Sequence, residues 1–137
     1  MKYVTGIHAL NLPCELDTDG DWHCSGLQWE RPTFADSDKS IFGLYGIEYD
    51  KEIPEHTGKF AVANHIRALL DMLDKGQFGY AQGMRDDFID SDDYTDEVFE
   101  KVLMLKDNDN WNEISDFMGS EYYMKWVNFI KNKGLKE

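Results

Sequence analysis

The spacing of apolar side chains changes near Thr57, and that change limits what this chain can fold into. From Lys59 to Lys75, Val62, Ile66, Leu69 and Leu73 recur at i, i+4, i+7 and i+11, with Ala63 and Leu70 beside them. This is one stripe of an amphipathic helix, and Gly76 stands where its C-cap belongs. Before Thr57 the chain is rich in Gly, Pro, Trp and Tyr and alternates in short runs, the pattern of strands and turns. The expected fold is α+β: a small antiparallel sheet from residues 1–56, covered by three or four helices from residues 57–137. No repeat, low-complexity linker or Pro/Gly-rich boundary divides the 137 residues. They read as a single domain, long enough to bury a core without a metal or a disulfide.

Individual elements follow from local chemistry. Lys2–Leu12 is a strand candidate weakened by Gly6, and Pro13 ends its pairing. Asp19-Gly20 is a turn dipeptide. Trp22–Trp29 then alternates as a strand would, with Trp22, Cys24, Gly26 and Gln28 on one face and His23, Ser25, Leu27 and Trp29 on the other. Pro32 to Lys39 reads as a loop, and Ser40–Tyr49 as a strand with glycine bulges. Past the Lys59–Lys75 helix, Gln77–Ile89 is broken by two glycines. Asp93 or Thr95 caps a helix with the stripe Val98, Val102 and Leu105, Phe99 and Met104 lying nearby, and Asp96 and Glu97 suit its N-terminal end. Trp111–Met118 forms a short helix. Ser120 caps a last one, with Tyr122 or Tyr123, Trp126, Val127 and Ile130 inward and Gly134 as its stop.

Charge supplies the main functional signal. Twenty-seven acids against fourteen Lys and Arg give a net −13. The excess is densest in Asp86–Glu100, where Asp86, Asp87, Asp90, Asp92, Asp93, Asp96, Glu97 and Glu100 occur with no base between them. Charges this close act together within the Debye length of about 8 Å at physiological salt. Direct nucleic-acid binding is disfavoured, because phosphate attraction needs Lys and Arg that are scarce here. A basic protein surface is the natural partner. No apolar run approaches the roughly 20 residues of a membrane span. The N-terminus lacks the apolar core of a signal peptide. A cytoplasmic chain with reduced Cys14 and Cys24 follows, and no membrane or cofactor is implied.

The stretch DTDGDWHCSGLQW gathers acid, imidazole, thiol and hydroxyl groups, yet its spacing specifies no chemistry. In Asp17-Thr18-Asp19-Gly20-Asp21 the glycine falls at the fourth position and Gln28 at the twelfth, which does not match an EF-hand loop. His8, Cys14, His23 and Cys24 are competent zinc ligands, but only His23 and Cys24 are close, and adjacent strand residues point to opposite faces. Nucleophilic catalysis needs Cys24 or Ser25 activated by an oriented base, and only the fold can bring His8, His56 or His65 to them. No G-x-S-x-G, P-loop or H-E-x-x-H occurs. In the helix, Asn64 and Arg67 share a polar face. Arg67 suits a bound carboxylate, or more simply Asp71 at i+4. Trp111, Tyr122, Tyr123, Trp126 and Phe129 crowd the last third, which has no net charge, as core and, in part, as interface.

These features point to a small acidic protein that binds and neutralises a basic or nucleic-acid-acting protein. Bacterial antitoxins, and phage inhibitors that mimic nucleic-acid charge, act in this way. The alternative is a small enzyme or ligand-binding domain using His23 with Cys24 or His8. A scaffold whose acidity serves only solubility is the third reading.

Overall fold

The computed structural model describes residues 1–16, 18 and 27–135. They form two compact units, Met1–Asp71 and Met72–Glu137. The first unit holds a four-stranded sheet of β1 (Lys2–Val4), β2 (Phe34–Asp36), β3 (Ile47–Lys51) and β4 (Phe60–Ala63), in the order β2-β1-β4-β3. β1 pairs antiparallel with β2, Lys2 opposite Asp36, and β3 pairs antiparallel with β4, Ile47 opposite Ala63. The central pair, β1 and β4, is parallel, with Val4 opposite Val62.

The α+β class therefore holds, with most helices in the C-terminal half, but the sheet is mixed rather than wholly antiparallel. Its two central strands each lead directly into a helix: β1 into α1 (Gly6–Leu10) and β4 into α2 (His65–Asp74). Two strand–helix units laid side by side run in one direction, and the antiparallel strands take the edges. On β3 the register against β4 shifts between Glu48 and Lys51, where Asp50 has a φ of 58°. This is the geometry of a β-bulge.

Three sequence expectations need correction. Lys2–Leu12 is not one strand, because the backbone leaves β1 at Thr5 and enters α1 at Gly6 with a φ of 62°. Ser40–Tyr49 is a strand only from Ile47, since residues 41–46 form turns containing Gly43 and Gly46 at positive φ. The apolar stripe over Lys59–Lys75 crosses an element boundary. Val62 belongs to β4, whereas Ile66, Leu69 and Leu73 lie on α2, and all four are buried. Asn64 makes the switch: its side-chain oxygen accepts the Arg67 N–H at 2.8 Å, as a helix N-cap does. The Trp22–Trp29 strand and the Asp19-Gly20 turn fall mainly on residues outside those described, and Leu27–Trp29 carry no regular structure.

Met72–Glu137 is helical. Gly76, at a φ of 75°, ends α2 as expected: its N–H donates to Leu73 O at 3.1 Å and that of Gln77 to Met72 O at 2.8 Å, a Schellman motif. Gly83, at a φ of 90°, separates two single-turn helices, α3 (Phe78–Ala81) and α4 (Met84–Asp87). In α5 (Thr95–Leu103), Val98, Phe99 and Val102 are buried, but Met104 just beyond it is exposed. Neither Asp93 nor Thr95 caps α5. A 3-10 turn over Asp92–Tyr94 leads into it, with Ser91 Oγ accepting the Asp93 N–H at 3.2 Å.

α6 (Trp111–Tyr122) runs past Met118 and contains Ser120, so Ser120 caps nothing. Tyr123, at a φ of 53°, breaks the chain into α7 (Met124–Asn132), which closes on Gly134 with a second Schellman pair. Tyr122, Trp126 and Ile130 are buried and Tyr123 is exposed, so of the two tyrosines only Tyr122 faces the core. Among the described residues, no helix is long and apolar enough to cross a membrane.

Candidate functional site

All eight acids of the 86–100 segment are exposed. Asp86 and Asp87 sit on α4, Asp90 follows it, and Asp92 and Asp93 form the 3-10 turn. Asp96, Glu97 and Glu100 lie on α5. The Arg85 guanidinium reaches Asp86 at 3.4 Å and Asp92 at 3.9 Å, so the acids of α4 and of the turn converge on one side chain. Lys125 adds a contact to Asp92 at 3.6 Å, and Lys133 meets Glu100 at 2.9 Å. Asp87, Asp90, Asp93 and Asp96 have no ion pair among the described residues. Exposed pairs of this kind contribute at most about 1 kcal/mol each.

His23 and Cys24 lie outside the described residues. His8 is buried and both of its ring nitrogens are engaged. Nε2 lies 2.6 Å from Gln28 O, and Nδ1 accepts the Thr33 N–H at 3.1 Å. That pattern defines the Nε2-protonated tautomer and leaves His8 no free lone pair for a general base. His56 Nε2 contacts Trp29 O at 2.7 Å in the same way. Among the described residues, no group of three or more His, Cys, Asp and Glu is set to hold a metal ion.

The fold does bring together a pair that the spacing did not suggest, Cys14 and His65. His65 is wholly buried at the start of α2, its Nε2 2.8 Å from Leu12 O and its Nδ1 against the Thr18 hydroxyl. That hydroxyl lies 3.6 Å from Cys14 Sγ. Burial opposes ionisation of the Cys14 thiol, but hydrogen bonds from the His65 side chain, Thr18 and the His65 backbone outweigh it and lower its pKa. Burial likewise opposes the imidazolium of His65, yet Cys14 and the Leu12 carbonyl raise its pKa. Each group thus favours the charged form of the other. Half of the arrangement lies on the loop after Pro13 and half on a helix far along the chain, and no local pattern joins them.

Arg67 spends its donors within the chain. It is fully buried, with Nε 3.1 Å from Asp71 Oδ1, Nη1 2.8 Å from Gly43 O and 2.6 Å from Tyr45 O, and Nη2 2.8 Å from the Tyr3 hydroxyl. Tyr3 and Thr5 each donate to Asp71 Oδ2 at 2.7 Å. The i+4 partner anticipated from the sequence is the one found, within a structural network that ties β1 to α2.

No family model, curated protein or solved structure matches this chain. Surface charge and side-chain chemistry are therefore what bear on its function.

Proposed function

We propose that this chain is an acidic protein-binding regulator of the antitoxin or phage-inhibitor type, which neutralises a basic or nucleic-acid-acting partner protein. One observation carries the reading: all eight carboxylates between Asp86 and Glu100 face solvent, and Asp87, Asp90, Asp93 and Asp96 have no ion pair among the described residues. A concentrated exposed field of one sign raises association rates with oppositely charged surfaces and loses strength in salt. A chain made acidic only for solubility has no need to gather eight carboxylates into fifteen residues.

The test begins with a partner captured from native lysate at low salt and released at high salt. Changing Asp92, Asp93, Asp96 and Glu97 together to Lys then slows association with that partner by about tenfold or more, and flattens the dependence of the rate on ionic strength. These side chains are exposed, and circular dichroism of the variant confirms that the loss of the Asp92 pairs and of the acids at the α5 N-terminus leaves it folded before its kinetics are compared. Unchanged association kinetics reject the reading.

A second reading, a thiol-based activity, is favoured by Cys14 beside His65, the two linked through the Thr18 hydroxyl. In a Cys24→Ser background, alkylation of Cys14 by iodoacetamide should rise with pH through an inflection below the ordinary thiol value. The thiolate is the reacting form, and its folded pKa is lowered. His65→Gln removes the group that lowers it, so the inflection moves to higher pH. An inflection at the ordinary value in both proteins removes this reading.

A further inference from the structure

A second negative surface of the helical unit lies apart in sequence from the 86–100 acids. Between α3 and α6 runs an open groove of about 600 Å³, larger than one arginine side chain, whose walls carry Phe78, Phe117 and Tyr123 together with Glu113, Asp116 and Glu121. Among the described residues, no lysine or arginine lines it. The Phe78 and Phe117 rings lie 5.8 Å apart, and Tyr123 is 70 % exposed on the same groove. Glu113 and Asp116 stand three residues apart on α6, hence on one face, and neither has an ion pair among the described residues. Glu121 is committed differently: its two oxygens accept the N–H groups of Gly83 at 3.1 Å and Arg85 at 3.2 Å, holding the wall while adding negative charge.

We infer that this groove receives an arginine side chain of the basic partner, an inference that rests on the reading of this chain as the acidic member of a complex. Charge complementarity identifies the occupant: three carboxylates and no base call for a cation, and aromatic faces select a planar one. A guanidinium stacks on Tyr123 or Phe78 while its fork donates to the carboxylates of Glu113 and Asp116. An ammonium gains the charge interaction without the stacking. Gly79 lines the groove, and a Cβ added there meets nothing within 4 Å.

Residue-resolved NMR of the ¹⁵N-labelled full chain, titrated with a blocked arginine–glycine peptide, tests this. Saturable shifts are expected at the amides of Gly79, Gly83 and Ser120. The same peptide with citrulline in place of arginine should bind about tenfold more weakly, as should arginine peptide added to the Glu113→Gln/Asp116→Asn variant. Gly79→Leu adds bulk at a lining position without altering the charge and should weaken the shifts. Tyr123→Gly should weaken binding while raising Tm, because glycine accepts the backbone conformation that tyrosine resists. Equal binding of citrulline overturns the inference. Shifts confined to the amides of residues 86–100 overturn it too, but leave the acidic-face reading standing. Shifts in the groove with residues 86–100 unmoved support the groove and count against the acidic face, and silence at both surfaces ends both readings.

Discussion

Arg67→Ala lowers the unfolding free energy by about 3–5 kcal/mol, the cost of breaking a buried ion pair by deleting one partner. Arg67 is wholly buried and places four of its five N–H donors on named acceptors: Asp71, Gly43 O, Tyr45 O and the Tyr3 hydroxyl. Its planar group also lies 4.9 Å from the Tyr3 ring centre. Truncation removes the guanidinium donors from the Gly43 and Tyr45 carbonyls and leaves Asp71, itself 5 % exposed, with hydroxyl donors only. Arg67→Lys should fall between the two, because an ammonium keeps the charge but cannot reach four acceptors in one plane. Urea denaturation of the three proteins, compared at equal m, gives the order. A loss below about 1 kcal/mol for the alanine variant would assign the network the energy of a solvated pair. The close fit around this side chain is visible from the backbone as well. Gly46 has a φ of 72°, and a Cβ there would lie 2.7 Å from that of Arg67.

Trp126→Ala is expected to destabilise the chain by a comparable amount, about 3–5 kcal/mol, through lost burial and the cavity left behind. Trp126 is 2 % exposed and sits among Phe99 at 5.1 Å, Phe129 at 5.5 Å and Trp111 at 6.1 Å. Its indole N–H donates to Ser115 Oγ at 3.0 Å, which satisfies a hydroxyl on a largely buried residue. Trp126→Phe retains most of the ring volume and loses that bond, so it should cost much less, with the difference reporting the cavity. If phenylalanine and alanine cost the same, the hydrogen bond and not the packing dominates at this position.

The two networks were legible to different degrees. Asp71 was identifiable as a partner of Arg67 because a helix places i and i+4 side by side. Tyr3, Thr5, Gly43 and Tyr45 were not, since they reach the pair from the sheet and from a turn. Tyr122, Trp126 and Ile130 were recognisable as inward-facing from their spacing, yet Tyr122 and Tyr123 differed only through a positive φ at residue 123. The groove beside α6 had no sequence signature. One wall comes from the glycine-broken segment before α4 and the other from α6, and Glu121 joins them to Gly83 across 38 positions of chain.

The sequence by itself determined the acidic surface, the amphipathic stripes of α2, α5 and α7, and the glycine stops at Gly76 and Gly134. Each of these depends on periodicity, local φ or side-chain ionisation, all of which are properties of neighbouring residues. Only the tertiary structure decided that Val62 belongs to a strand, that β1 and β4 run parallel, that His8 is consumed by Thr33 and Gln28, and that Cys14 meets His65. Strand pairing and side-chain convergence are choices among distant segments. They are made by the fit of one buried surface against another, which no local pattern encodes.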